Sequence, residues 1–262
     1  MKRLLPCLAA LVFFISPGMP SSSAARAGQT GVFQDIFTAP LADNEAAFVF
    51  LGSSAVIVRT AKGAVIIDPD ALLFEEDMDI FRGKKMDVVL YTHGHGDHFD
   101  YKTAVGLAKA TGAPVCGGGE VTRALRRGGA IPAGQIKDFG AGRPLTLGAW
   151  TITPVRGLHV GPILLYQLSA GGIGIFHGGD SAYVPLKNLA AGLAFLPTGS
   201  ASPTASPADG LKMAQDLKSR VVVAIHGSDA QNQELTKKIK SAMPATKVII
   251  PETMKVYTVK AR

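Results

Sequence analysis

The stretch YTHGHGDHFD, residues 91–100, constrains this chain most, because it holds three of the six histidines within six residues. Its core is an H-x-H-x-D-H pattern formed by His93, His95, Asp97 and His98. Neutral imidazole and carboxylate are the donors that zinc and similar metals take in proteins. Because a strand alternates its side chains between its two faces, His93 and His95 are expected to project the same way. The intervening glycines allow the backbone to bend tightly around an ion. The pattern predicts a metal site, and the alternative is a polar loop of hydrogen-bonded histidines.

Four side chains are too few for two ions, since each ion takes roughly four to five donors including water. Three further donors stand just past the ends of apolar stretches: His159 after 151–155, Asp180 after 173–176, and His226 at the end of VVVAIH. In α/β proteins the carboxyl ends of strands are where sites usually form. A single histidine at such a place is more often structural. Three such residues downstream of the histidine pattern predict that all seven side chains share one site.

Short apolar runs alternate with helical patterns along the chain. The strands are expected at 48–51, 55–59, 64–67, 88–92, 113–116, 148–155, 163–168, 173–176, 193–196, 221–225 and 248–250. Helices are expected at 101–110 with an end at Gly112, at 120–127 with an end at Gly128, from the N-cap Ser206 to about Lys218, and at 231–239. An early meander followed by alternating strands and helices predicts an α/β layered domain with sheets inside and helices outside.

The first 27 residues have the order of a secretory signal peptide. Lys2 and Arg3 precede an apolar stretch at 4–15, and a small-residue end leads to Ala27. We therefore expect cleavage after Ala27, a single domain over 28–262, and a periplasmic or secreted protein. The apolar stretch is shorter than the ~20 residues that a spanning helix needs, so a membrane anchor is the weaker interpretation. No later segment predicts a membrane span.

Charge and cysteine content exclude other classes. The formal net charge is +7, and loss of Lys2, Arg3 and Arg26 with the leader lowers it to +4. Basic residues are spread along the chain, and a nucleic-acid surface needs denser clustering, so no nucleic-acid partner is expected. After processing one cysteine remains, Cys116, which is expected to be a buried strand residue without a disulfide partner.

The order of the motifs resembles the metallo-β-lactamase superfamily, which implies a four-layer αββα sandwich with a dinuclear site. The segments IIDPD, THGHGDH, His159, HGGDS and AIHG stand where that family has its five motifs. By this resemblance His93, His95 and His159 hold one metal, Asp97, His98 and His226 hold the other, and Asp180 bridges them. Asp68 is expected to orient a ligand histidine by hydrogen bonding. For His177 a supporting hydrogen bond and plain core packing stay open.

The segment AFLPTGSASPTASPADGLKMAQDLKSRVVVAIHG resembles the branch that contains ascorbate-phosphate lactonase and many uncharacterised metal-dependent hydrolases. The stretch FLGSSAVIV resembles that branch's G-H-S segment, but Ser53 stands in the place of its histidine. If that histidine contacts substrate in relatives, their substrates do not carry over to this chain.

The expected activity is hydrolysis by metal-bound hydroxide, with Asp97 and Asp180 as catalytic carboxylates and without a covalent enzyme intermediate. Two divalent ions, two carboxylates and a bridging hydroxide leave a net charge of +1. The site should therefore take a small anionic or carbonyl-containing substrate, such as an ester, lactone or phosphodiester. Zinc is the expected metal, with manganese or iron as alternatives, since the same donors accept all three.

Three other functions stay open. A β-lactam hydrolase is disfavoured because β-lactamases of this superfamily usually have Cys or Ser where this chain has Asp180. A mononuclear iron redox enzyme of the same fold needs iron and a thiol-binding pocket, which the sequence does not signal. A non-catalytic metal-binding protein is disfavoured by the complete set of ligands.

Overall fold

The computed structural model of the protein describes residues 23–70, 73 and 75–261. Most of the predicted signal peptide lies outside these residues, and its last part, 23–27, falls in the first helix. The helices are α1 (Ser23–Thr38), α2 (Glu75–Phe81), α3 (Tyr101–Thr111), α4 (Gly119–Gly128), α5 (Pro207–Leu217) and α6 (Asp229–Ala242). The strands are β1 (Glu45–Gly52), β2 (Ala55–Thr60), β3 (Ala64–Ile67), β4 (Val88–Tyr91), β5 (Val115–Gly117), β6 (Ile136–Asp138), β7 (Leu145–Leu147), β8 (Trp150–Arg156), β9 (Leu164–Ala170), β10 (Ile173–His177), β11 (Leu193–Pro197), β12 (Val221–Ile225), β13 (Lys247–Ile249) and β14 (Val256–Lys260).

The strands form two mixed seven-stranded sheets within the described residues. The first has the order β14-β1-β2-β3-β4-β5-β6 and the second the order β13-β12-β11-β10-β9-β8-β7. In the first sheet β3, β4, β5 and β6 are parallel, and in the second β10, β11, β12 and β13 are parallel. Most of the polar side chains of the site emerge at the ends of these parallel strands.

Apolar side chains fill three layers of core: one between the two sheets and one between each sheet and its helices. This arrangement arises because most central strands are buried on both faces. Strand β12 shows this directly: Val221, Val223 and Ile225 pack between the sheets, whereas Val222 and Ala224 face helices α5 and α6. On the first sheet, the outward-facing side chains pack against α1 to α4. This alternation follows from the two-residue repeat of a strand. The layers run helix, sheet, sheet, helix, which confirms the predicted αββα architecture.

Several predicted boundaries are close to those observed. Ser206 caps α5 as expected, accepting a hydrogen bond from Asp209 N, and Gly112 ends α3 in the left-handed region at φ 69°. Helix α4 extends to Gly128, and its C-cap is Gly129, one residue later than the predicted end, also at φ 69°. Left-handed backbone of this kind favours glycine because glycine has no Cβ to clash.

The sequence did not predict helices α1 and α2 or strands β6, β7 and β14. Three of these are strands of three to five residues, too short to show a periodic pattern, and their pairing with neighbouring strands stabilises them. Strand β14 pairs antiparallel with β1, placing Lys260 beside Glu45. Helix α1 packs through Phe33, whose ring centroid lies 5.1 Å from that of Phe81 in α2. Nothing within the described helices reaches the length and apolarity that crossing a bilayer requires.

Candidate metal centre

The histidine pattern lies in a loop, which corrects one part of the sequence interpretation. Strand β4 ends at Tyr91, so residues 93–98 are not part of a strand and strand alternation does not orient His93 and His95. The loop closes instead through hydrogen bonds from His98 N and Phe99 N to the His95 carbonyl, at 3.0 and 2.8 Å. Asp100 then caps α3, accepting from Thr103 N at 2.7 Å.

The second sheet supplies the remaining residues from three strand ends at one edge. His159 follows β8, Asp180 follows β10, and His226 follows β12. Strands β8 and β10 both run antiparallel to β9, and β10 to β12 run parallel through β11, so all three point the same way. The predicted convergence of these three side chains on the loop after β4 is therefore what the topology produces.

The first donor group consists of His93, His95, His159 and Asp180, whose potential ligand atoms all lie within 4.8 Å of one another. His159 Nε2 is 3.2 Å from His95 Nδ1 and 3.4 Å from Asp180 Oδ2. His93 Nε2 is 3.8 Å from Asp180 Oδ1.

The second donor group consists of Asp97, His98 and His226, again with all potential ligand atoms within 4.8 Å. His226 Nε2 lies 3.2 Å and His98 Nε2 lies 3.7 Å from Asp97 Oδ2. The histidines are buried, whereas the Asp97 side chain is 48% exposed. This group therefore opens to solvent on the Asp97 side.

Asp180 lies between the two donor groups. Its Oδ2 atom, which is 3.4 Å from His159, is also 3.8 Å from His98 Nε2 and 4.0 Å from His226 Nε2. The side chain is only 4% exposed. One buried carboxylate therefore faces ligand atoms of both groups.

Buried polar atoms that lack a hydrogen-bond partner indicate whether these residues fit metal ions. His93 Nε2, His98 Nε2 and Asp180 Oδ1 are buried and make no hydrogen bond to any described residue. Buried polar atoms without a partner are rare, because each costs about 1–3 kcal/mol. Ring nitrogens and a carboxylate oxygen that converge in this way fit the donor set of a divalent metal.

Asp68 orients the residues that follow strand β4 by hydrogen bonding to Thr92 and His98. Its Oδ2 atom lies 2.8 Å from His98 Nδ1 and accepts from Thr92 Oγ1 at 2.7 Å, while Oδ1 accepts from Thr92 N at 2.7 Å. Thr92 Oγ1 is also 3.1 Å from His93 Nδ1. With both Nδ1 atoms acting as donors in this chain, the Nε2 atoms of His93 and His98 keep their lone pairs for the centre.

The electrostatics of these histidines differ according to their neighbours. Burial, reinforced by the nearby His98, lowers the pKa of His93 from 6.5 to about 3. Burial alone would also lower the pKa of His98, but the Asp68, Asp180 and Asp97 carboxylates together outweigh it and raise that pKa above its usual value. His93 is therefore held neutral, which is the state that binds a metal.

His177 supports the site through hydrogen bonds to the backbone. Its Nε2 atom donates to the Ser54 carbonyl at 2.8 Å, and its Nδ1 atom accepts from Gly179 N at 3.2 Å. Ser54 Oγ in turn donates to the Gly179 carbonyl at 3.2 Å. These bonds hold the turn that immediately precedes Asp180. The sequence did not decide whether His177 makes a supporting hydrogen bond or only packs in the core. The buried ring does both.

Three polar residues of the site were missed by the sequence interpretation: Thr92, Ser202 and Thr204. Thr204 Oγ1 lies 2.9 Å from His159 Nδ1 and 3.2 Å from the Asp180 carbonyl, to which it donates. Ser202 Oγ donates to the same carbonyl at 2.6 Å. Ser202 and Thr204 lie between the strand predicted at 193–196 and the helix predicted from Ser206, and hydroxyl residues in such a connecting segment signal no particular partner.

Ser53, the residue that the sequence comparison set against a histidine of the G-H-S segment, contacts His226 through its backbone. The Ser53 carbonyl accepts a 3.0 Å hydrogen bond from His226 N. Both residues have left-handed backbone, at φ 48° and 45°. The turn between β1 and β2 therefore positions His226 through its main chain.

Comparison with known proteins agrees with this geometry. A family model described as the beta-lactamase superfamily domain matches residues 65–227, more than half of the chain. That range runs from strand β3 to the residue after His226 and so contains every residue of both donor groups. The chain belongs to this superfamily.

Relatives within the superfamily carry the name UPF0173 metal-dependent hydrolase. One from Thermus thermophilus is 31% identical over 187 residues, covering 68% of this chain and 81% of the relative. Another, from Cupriavidus taiwanensis, is 31% identical over 156 residues, covering 58% of this chain and 48% of the relative. The match thus spans about half of that second protein. These likenesses support the predicted enzyme class, a metal-dependent hydrolase.

Solved structures share the fold. The metallo-beta-lactamase fold protein YhfI from Bacillus subtilis superposes with a TM-score of 0.65 at 16% identity, covering 82% of this chain and all of that one, 100%. At this identity the likeness concerns the fold alone, and it matches the two sheets and the helical layers described above.

Proposed function

We propose that this chain is an exported hydrolase that binds two divalent metal ions, one at each donor group. The position of Asp180 carries the proposal, because its carboxylate faces ligand atoms of both groups and can bridge two ions. His93, His95 and His159 would hold the first ion. Asp97, His98 and His226 would hold the second. Zinc suits this donor set best, and manganese or iron are the alternatives.

Bound at these residues, the ions would polarise a substrate carbonyl or phosphoryl oxygen and lower the pKa of water, so that a nucleophile forms near neutral pH. Two divalent ions held by only two carboxylates leave the centre with net positive charge. We therefore propose a small anionic or carbonyl-containing substrate, namely an ester, a lactone or a phosphodiester.

The remaining roles, which are proton transfer, substrate entry and orientation of the histidines, fall to side chains of the protein. The buried Asp180 carboxylate would hold both ions and would also help to steer a proton at the centre. Asp97 is half-exposed and marks the side from which substrate enters. The hydroxyls of Thr92 and Thr204 hold ring nitrogens of His93 and His159 so that the opposite nitrogens face the centre.

Metal content and hydrolysis test this proposal together. The protein, purified without added metal, should contain about two equivalents of zinc or manganese, and chelation should abolish hydrolysis of model esters, lactones and phosphodiesters until metal is restored. One equivalent of iron would favour the redox alternative, and rapid turnover of a chromogenic cephalosporin would favour a β-lactamase. Absence of bound metal even after incubation with zinc would refute the proposed centre.

Export is a separate part of the proposal and rests on residues 1–27. Cleavage after Ala27 would leave Phe33 and Ile36, through which α1 packs on the first sheet, in the mature chain. Expression of the full chain in a bacterium, followed by fractionation and N-terminal sequencing, tests it. Protein in the periplasm or medium that begins at residue 28 is the expected result, and full-length protein in the cytoplasm contradicts it.

A further inference from the structure

A cavity of about 470 Å³ adjoins the metal centre. Thr92 and His93 form the part of its wall that belongs to the centre, and Arg156 and Gly157 at the end of β8 form another part. Pockets for small molecules usually occupy roughly 300–1,000 Å³. The cavity is therefore large enough to hold the non-reacting part of a substrate bound at the centre.

Apolar side chains form much of the wall. They are Val121, Phe139, Ile163 and Leu164, which come from α4, the end of β6 and the start of β9. Each is at most 9% exposed and is fixed by the surrounding core. Such rigid apolar walls bind an apolar group by removing its surface from water. A ring or short alkyl chain is the group that this surface suits.

Two charged side chains also line the cavity. Glu120 lies at the end of the cavity near the metal centre, next to Gly94, which stands between His93 and His95. A Cβ atom built on Gly94 would be 2.9 Å from Glu120 Oε1. Glu120 sits in the first turn of α4, where the helix dipole stabilises a negative charge. Arg156 is exposed, and its guanidinium makes no hydrogen bond or ion pair with any residue that the structure describes.

We propose that Arg156 determines specificity by binding an oxyanion, a carboxylate or phosphate, carried by a substrate whose apolar part fills this cavity. A guanidinium remains charged at any pH at which the protein is folded, and its planar fork matches an oxyanion with two parallel hydrogen bonds. Glu120 and Arg156 do not form an ion pair with each other, so the Arg156 guanidinium is available to a ligand. The inference rests on the proposed function, and it narrows the substrate to an anion with an apolar body.

Binding of matched probes to the metal-loaded full-length protein tests this inference without requiring turnover. The probes are 4-phenylbutyrate, 3-phenylpropyl phosphate and the neutral 4-phenylbutanol, measured by calorimetry. At least one anionic probe should bind about tenfold or more tightly than the alcohol, because a hydrogen bond to a charged group contributes that much. The two anions together distinguish a carboxylate from a phosphate as the preferred group.

Arg156→Gln should lower the affinity for the preferred anion about tenfold or more and leave the affinity for the alcohol unchanged. Arg156→Lys should restore part of the affinity, since it keeps the charge and loses the fork. Arg127→Gln is the matched control, because Arg127 is an exposed residue of the last turn of α4 that does not line the cavity. It should bind all three probes like the wild type.

Equal affinities for anion and alcohol in the wild type, no binding of any probe, or discrimination that survives Arg156→Gln would each overturn the inference. In the last case the metals themselves would be the anion site. If an anionic ester proves to be a substrate, Arg156→Gln should raise its KM and leave kcat nearly unchanged, as expected for loss of uniform binding. Failure of the hydrolase proposal would appear in metal content and turnover, which are measured independently of the probes.

Discussion

The Asp68 carboxylate lies 2.8 Å from Nδ1 of His98, a residue 30 positions further along the chain, and both side chains are fully buried. The pair shows how the first sheet prepares a ligand before any metal binds. Burial opposes ionisation of Asp68, but the adjacent His98 lowers the pKa of the carboxyl below its usual value. The carboxylate form is thus the one that the folded state favours.

Asp68→Asn should lower zinc affinity by about 10- to 100-fold and destabilise the metal-free protein by about 3–5 kcal/mol. An asparagine amide presents N–H groups at one of the two oxygens, and both oxygens of Asp68 accept hydrogen bonds. A zinc competition titration and thermal melts measure the two effects. Asp43→Asn is the control, because Asp43 is 72% exposed and its ion pair with Lys62 contributes little. Equal behaviour of the two variants would contradict the role of Asp68.

Asp180→Ala should reduce hydrolysis by more than the about 10- to 100-fold expected for loss of a residue that merely supports a ligand. It should also lower the metal content from two equivalents towards one, because the carboxylate that faces both donor groups is lost. Turnover and elemental analysis of the same sample check the two effects. The exposed Asp79 provides a control as Asp79→Asn. An Asp180→Ala enzyme with nearly wild-type rate would refute the bridging role.

Thr204→Val should weaken zinc binding about tenfold at the first donor group, because His159 Nδ1 loses its hydroxyl partner at 2.9 Å while the shape of the side chain is retained. Thr204→Ser keeps the hydroxyl and should behave like the wild type. Thr246→Val removes a similar hydroxyl, which donates to the Ser219 carbonyl far from the centre. That control should lose a little stability and no zinc affinity. Competition titrations on the three variants are decisive.

The pH dependence of stability should carry a contribution from His177. Burial lowers the pKa of His177 below its usual value of 6.5. The unfolded chain therefore binds a proton that the folded chain excludes, so the free energy of unfolding falls as the pH drops below 6.5. The contribution has a slope of up to about 1.4 kcal/mol per pH unit and ends at the lowered pKa.

His177→Gln keeps an amide donor for the Ser54 carbonyl but cannot ionise. Denaturant unfolding of wild type and variant between pH 7.5 and 5 should therefore give a shallower pH dependence for the variant. The difference between the two curves measures the contribution of His177, including its electrostatic interactions with His98 and His226. Parallel curves for the two proteins would show that His177 titrates normally in the folded state.

Local sequence patterns predicted much of the fold and which residues form the site. The glycine and serine caps at Gly112 and Ser206 and the apolar runs of the central strands were visible because their physics is local. Strand β14 and helix α1 were not predicted, because each is stabilised by distant residues. The orientation of His93 and His95 was attributed to strand alternation, and that was wrong, because β4 ends before them at Tyr91.

By itself the sequence determined the donor types, their order and their position after strands, because metal affinity depends on the chemistry of side chains and on a few fixed spacings. Only the tertiary structure decided which atoms face the centre. That choice depends on contacts across large sequence separations, such as Thr204 with His159 and His177 with Ser54, which are 45 and 123 positions apart. The cavity beside His93 and the unpaired Arg156 also arise only when the two sheets pack together, because no single segment encloses a volume.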